Sequence, residues 1–209
     1  GMHGDYGANI GKVIAIRKDL PSLLKAYAAA GSDARMNGCE LPVVINSGSG
    51  NQGLTVSVPL IIYAEREHLD KEKLYRALII SNLTAIHLKT EIGRLSAFCG
   101  AVSAGAACGA GLAYLKDASE EVMNHTIVNA LAITSGIICD GAKASCAAKI
   151  AVSVEAGILG YDMYMNGQQF YGGDGIISKG IENTIHNIGV LGSQGMASTD
   201  QEIIKIMCE

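Results

Sequence analysis

The sequence predicts a mainly α-helical protein, one helical domain over residues 1–209 whose helices are separated by glycine-rich joints. Three observations carry that prediction. Apolar residues recur at helical spacing in most segments, strand-like alternation is nearly absent, and several Asp or Ser residues stand where a helix needs an N-cap. Small residues must make the core, because the chain has 26 Gly, no Trp and only two Phe. With 16 Lys and Arg against 20 Asp and Glu, the net charge is −4 and no basic stripe exists, which argues against a nucleic-acid partner.

Taken in order, Asp19 followed by Pro21 opens the first clear helix, since proline at a first turn sacrifices no hydrogen bond. A joint follows at Asn46 to Gly53. Asp70 caps a long helix to about Lys89, with Tyr75, Ile79, Leu83 and Ile86 on one face. The uncharged run Ala97 to Leu115 is long enough to span a bilayer. Its Ala, Gly, Ser and Cys content supplies little transfer energy, so a buried helix is expected and no membrane partner. Ser119 with Glu120 and Glu121 starts another helix, and Thr199 with Glu202 reads as a capping box for the last. Further joints are expected at Cys139 to Gly141, Asn166 to Gly175 and Gly189 to Gly195, where backbone can face a ligand. No basic start followed by an apolar stretch opens Gly1 to Ile10, so a cytoplasmic location is expected.

Two constellations could carry chemistry. Gly48-Ser49-Gly50-Asn51-Gln52-Gly53 follows the short apolar run Val43, Val44 and Ile45, and so matches the dinucleotide fingerprint formally. The fingerprint also needs a second strand ending in an acidic residue, and Pro59 and Glu65-Arg66-Glu67 occupy that region. The loop then reads either as a row of free N–H groups at a helix start, suited to a carboxylate or phosphate, or as a plain capped turn.

The second constellation is made of thiols. Cys139 and Cys146 stand seven residues apart across Gly141, and Cys99 precedes Gly100. Thiolates beside irregular backbone suit an iron–sulfur site. Spacing alone favours buried packing cysteines over ligands, because no C-x-x-C pair is present. Zinc would need His87 or His125 as a further ligand, and neither stands three or four residues from another His or from one of these three cysteines.

Three stretches in order, Ser47 to Gly53, Lys89 to Gly100 and Cys139 to Cys146, resemble the L-cysteine desulfidase family, related to the α chain of iron–sulfur L-serine dehydratases, in its C-terminal half. The resemblance covers nearly the whole chain. It implies a [4Fe–4S] cluster held by Cys99, Cys139 and Cys146, and a substrate-carboxylate loop formed by Ser47, Gly48, Ser49, Asn51 and Gln52. It implies β-elimination from L-cysteine or L-serine without pyridoxal phosphate, giving pyruvate and ammonia, and sulfide when cysteine is the substrate. An L-serine dehydratase α chain and a non-catalytic domain of the same fold are the alternatives. The α-proton base is unassigned, with Lys89 and Lys143 as candidates. Family members are about twice as long and carry a Cys-Thr-Glu-Pro motif absent here, so a missing N-terminal domain or partner subunit is expected. Self-association into a homodimer is a further expectation from the Gly/Ala-rich surface.

Overall fold

The computed structural model describes residues 1–209. Asp19 accepts from the Ser22 amide at 2.8 Å and starts α2 (Leu20–Met36), which follows the short α1 (Ile10–Ala15). Ser49 caps α3 (Gly50–Arg66), and Asp70 accepts from the Lys73 amide at 2.9 Å to start α4 (Lys71–Ile92). Ser119 caps α6 (Glu120–Thr134), after α5 (Gly100–Leu115). These caps satisfy amides that the first turn cannot pair internally. Then follow α7 (Cys146–Met165), α8 (Ile181–Val190), a π-helical turn at Leu191–Gly195, and α9 (Ala197–Cys208). The fold is all α: no strand forms, and isolated bridges at Asn46–Ser49 and Phe98–Ile138 are the sole β pairings.

α5 is the central rod, packed against α3, α4, α6 and α7. Its apolar surface runs all the way round, as a fully buried helix requires. Close approach substitutes for bulk. A Cβ built on Gly105 would lie 2.3 Å from the Ser153 carbonyl oxygen, and one on Gly157 would lie 2.5 Å from the Gly105 oxygen. The backbones of α5 and α7 therefore touch. No helix is long and apolar enough to cross a membrane.

The apolar run Val43 to Ile45 is loop, in keeping with the rejected fingerprint, and Asn46 turns back on Ser49 at once. The structure corrects two sequence expectations. Gly189 and Gly192 lie in helix rather than in a joint; they admit the Glu91 and Ile92 side chains of α4, which a Cβ would meet at 2.4 and 2.8 Å. The helical path through Leu191–Gly195 carries the chain into α9 at Ala197, so Thr199 lies inside that helix and caps nothing. The joints at Cys139 to Gly141 and Asn166 to Gly175 are loops as expected.

Candidate functional site: a thiol-lined cleft at three helix N-termini

The starts of α3, α5 and α7 converge on one cleft of about 290 Å³. The α3 start contributes Gly48, Ser49, Asn51 and Gln52. Cys99, the N-cap residue of α5, contributes its thiol, and Cys146 is the first residue of α7. Neither the α5 nor the α7 start has a side-chain oxygen cap, and their positive dipole ends face the cleft, although the first α7 amides, of Cys146 and Ala147, donate to the Lys143 and Ala144 carbonyls. Cys139 arrives on the loop before α7. That loop is pinned to the segment before α5: the Cys99 amide donates to the Ile137 carbonyl at 3.2 Å and the Cys139 amide to the Ala97 carbonyl at 2.6 Å.

The Cys99 thiol hydrogen-bonds to Cys139, and this bond holds Cys139 down to about 6 despite partial burial. The same bond, together with burial, pushes Cys99 well above the usual thiol range. The two thiols therefore titrate as a coupled pair, with Cys139 the more readily ionised. Cys146 donates to the Gly141 carbonyl at 3.6 Å. No three His, Cys, Asp or Glu side chains converge on a point, as a single metal ion would require. A four-iron cube makes a different demand, because its thiolates attach at separate corners and must surround a body. Three thiols around one cleft, at helix ends that stabilise thiolate, fit such a donor set.

Positive charge dominates the rest of the lining. Arg35, from the last turn of α2, donates to Asn51 Oδ1 at 3.2 Å. Lys89 is buried at 6% exposure with no carboxylate partner, and burial lowers its pKa. Arg94 reaches the cleft from the loop after α4. Lys149 lies one turn into α7, donates to the Ile138 carbonyl at 3.0 Å and bonds Asp140, whose carboxyl it holds below its ordinary range. Gln52, only 5% exposed, has a buried Oε1 with no partner and packs over Gly100. An orphaned buried acceptor in a cationic cleft is a group waiting for a donor.

The structure thus brings together Cys99, Cys139, Cys146, Gly48, Ser49, Asn51, Gln52 and Lys89. It leaves two candidates out. Lys143 is exposed on the loop before α7 and does not line the cleft. Ser47 bonds Asn46 Oδ1 at 2.8 Å and lines a shallower concavity at the cleft mouth. The zinc alternatives lie elsewhere, His87 paired with Glu182 and His125 stacked on Tyr164. Sequence reasoning missed Arg35, Arg94 and Lys149. Lys149 is three residues after Cys146, one helical turn on, and Arg94 lies within the Lys89 to Gly100 stretch, so both had a local signal. Arg35 arrives by tertiary packing alone.

The chain belongs to the serine dehydratase alpha chain family, which matches residues 2–205. It is similar to UPF0597 proteins: 64% identical over 99% of its length to one from Desulfitobacterium hafniense, 54% over 99% to one from Lachnoclostridium phytofermentans, and 52% over 100% to one from Finegoldia magna. It covers 49%, 50% and 50% of those proteins respectively, so it spans about half the length of these relatives. No solved structure matches.

Proposed function

We propose that this chain is the cluster-bearing half of an iron–sulfur-dependent β-elimination lyase, an L-cysteine desulfidase, with Cys99, Cys139 and Cys146 as the cluster ligands and residues 1–209 as one domain. The observation that carries the reading is the convergence of these three thiols with the α3 start on one cationic cleft. Bound there, a [4Fe–4S] cluster would supply Lewis acidity through an iron that no cysteine occupies.

The chain's own residues do the rest. Free amides at the start of α3, with Arg35 beside Asn51, bind the substrate carboxylate. The buried Gln52 Oε1 accepts from the substrate ammonium, which satisfies both groups. Lys89 is the base: burial favours its neutral amine, which takes the α-proton onto Nζ. Its charge is then offset by the hydrosulfide that leaves as the Cβ–S bond breaks. Elimination leaves 2-aminoacrylate, which tautomerises and takes up water to give pyruvate and ammonia. Holding the carboxylate and ammonium fixes the Cα–H bond toward Lys89, an orientation effect of several kcal/mol. No pyridoxal phosphate is needed in this scheme. The family's name supports a second reading, L-serine as substrate with hydroxide leaving.

Anaerobic reconstitution of the full-length assembly, followed by absorbance and iron analysis, tests the proposal. Cluster absorbance and sulfide release are expected, with both lost in Cys99→Ser. Cluster-free protein, or desulfidase activity that survives Cys99→Ser, overturns it. Sulfide from cysteine measured against pyruvate from serine decides the substrate.

A further inference from the structure

The outward face of α4 carries a stripe of large apolar residues that nothing in the chain covers. Tyr75, Ile79, Leu83 and Ile86 are between 46% and 60% exposed, at spacings of four, four and three residues, so they align on one face. Charged residues border the stripe, the Glu72–Arg76 pair at its N-terminal end and His87 and Glu91, paired with Glu182 and His186 of α8, along one edge toward its C-terminal end. The stripe does not end with the helix. Asn46 donates to the Asn82 carbonyl at 3.2 Å and to Asn82 Oδ1 at 3.0 Å, pinning the loop before α3 against α4. That loop exposes Leu41, Val44 and Ile45, and Ile45 shares with Ile86 the concavity at the cleft mouth. Gly48, Lys89 and Arg94 line both that concavity and the cleft itself.

An apolar surface this long, rimmed by charge and leading to a cleft mouth, is the pattern of an interaction site rather than of a free surface. We infer that the α4 stripe and the loop beside it are the docking face for the other half of the full-length polypeptide seen in the relatives. That half closes the mouth of the cleft over Lys89 and Arg94. The occupant follows from length. The chain covers 49% of the Desulfitobacterium relative and 50% of the Finegoldia one, so a segment of about its own size is joined to its counterpart in those proteins. A segment of that size must bury a face against this domain if the two share a site, and the stripe, continued by Leu41, Val44 and Ile45, is a long exposed apolar surface that leads to the cleft mouth. The inference rests on the reading of this chain as half of a longer assembly, not on the substrate or the cluster.

The test is amide hydrogen exchange on the isolated chain and on a chimera in which it replaces the matching half of the full-length Desulfitobacterium protein. Amides of residues 75–86 should exchange at least tenfold more slowly in the chimera. Ile79→Glu with Leu83→Lys should change the melting temperature of the isolated chain little, because both side chains are more than half exposed and both replacements are good helix formers, and should restore fast exchange in the chimera. The unmodified Desulfitobacterium protein, mapped over the residues aligned with 75–86, gives the same reading without depending on the chimera's folding. Equal exchange with and without the second half overturns the inference, as does protection that survives the double substitution. Light scattering that shows the isolated chain as a dimer, converted to monomer by the same substitutions, assigns the face to a second copy and also overturns it. Because neither cluster nor turnover is read, failure here leaves the lyase proposal standing, and failure of the lyase proposal leaves this one standing.

Discussion

α4 and α5 pack side by side, yet they use apolar residues in opposite ways. In α5, 14 of 16 residues are buried, and all of these but Val102, Leu112 and Leu115 are Ala, Gly, Ser or Cys. In α4, six of 22 are buried; its inward face is Ala77, Ser81, Ala85, Leu88, Lys89 and Ile92, while Tyr75, Ile79, Leu83 and Ile86 point outward. Small residues face in because the α5 backbone is close. A Cβ on Gly111 would lie 3.1 Å from the Ser81 Cβ and 3.2 Å from the Ala77 carbonyl oxygen, so larger groups have no room. Where α4 runs against the α5 backbone, size decides what can face inward; Leu88 and Ile92 are taken in further along the helix, where there is room. Tyr75, Ile79, Leu83 and Ile86 stay outside.

The largest effects should follow from filling the α5–α7 contact. Gly105→Val places its Cβ against the Ser153 backbone, which cannot move without parting the helices. A loss of about 3 kcal/mol or more is expected in urea unfolding, even though valine is the more apolar residue. A stable Gly105→Val protein would break the view that backbone proximity sets this core. A smaller loss, about 1–3 kcal/mol, is expected for Ala85→Leu, where a fully buried Cβ sits among Val56, Ala104 and Ala107.

Lys89 lies on the inward face of α4, and it sharpens the comparison with the opposite sign. Burial lowers its pKa, so the folded state resists its charge. Below the folded pKa the lysine is charged in both states and the cost of burying it is fully present. As pH rises toward the ordinary lysine value, the unfolded chain binds more protons than the folded one and stability increases. Lys89→Met should therefore raise stability at neutral pH by about 0.5–2 kcal/mol, while removing the lyase activity proposed above. It should also flatten the rise in melting temperature with alkaline pH. A destabilised Lys89→Met protein would mean that Lys89 has a partner in the fold.

How much of this was legible in the sequence depends on range. Caps at Asp19, Asp70 and Ser119 are local hydrogen bonds three residues long, and the sequence announces them. The thiols and the α3 loop were legible as a set through a resemblance, since spacing alone did not separate ligands from packing cysteines. Arg35 was not, because its approach to Asn51 is created by how α2 lies against α3. Glycines were ambiguous for the same reason. Gly48, at φ 84°, makes a turn, whereas Gly189 and Gly192 make room for α4, and only packing tells the two uses apart. Helical periodicity located α4 but did not say which face turns inward, because both faces repeat at the same interval.

The smallest effect is expected on the outward face. Leu83→Gln removes a side chain that is 60% exposed, so little burial is lost and the polar amide remains in water. Glutamine is about as good a helix former as leucine, so the helix term nearly cancels. The isolated chain should change by no more than about 0.5 kcal/mol in either direction. The contrast with Ala85→Leu, two residues on, is the point of the measurement: on this helix, adding a large apolar group inward is costly and deleting one outward is not. A loss of 2 kcal/mol or more for Leu83→Gln in the isolated chain would mean that the stripe already has a partner within the chain, and both the inverted use of size on α4 and the open docking face would have to be abandoned.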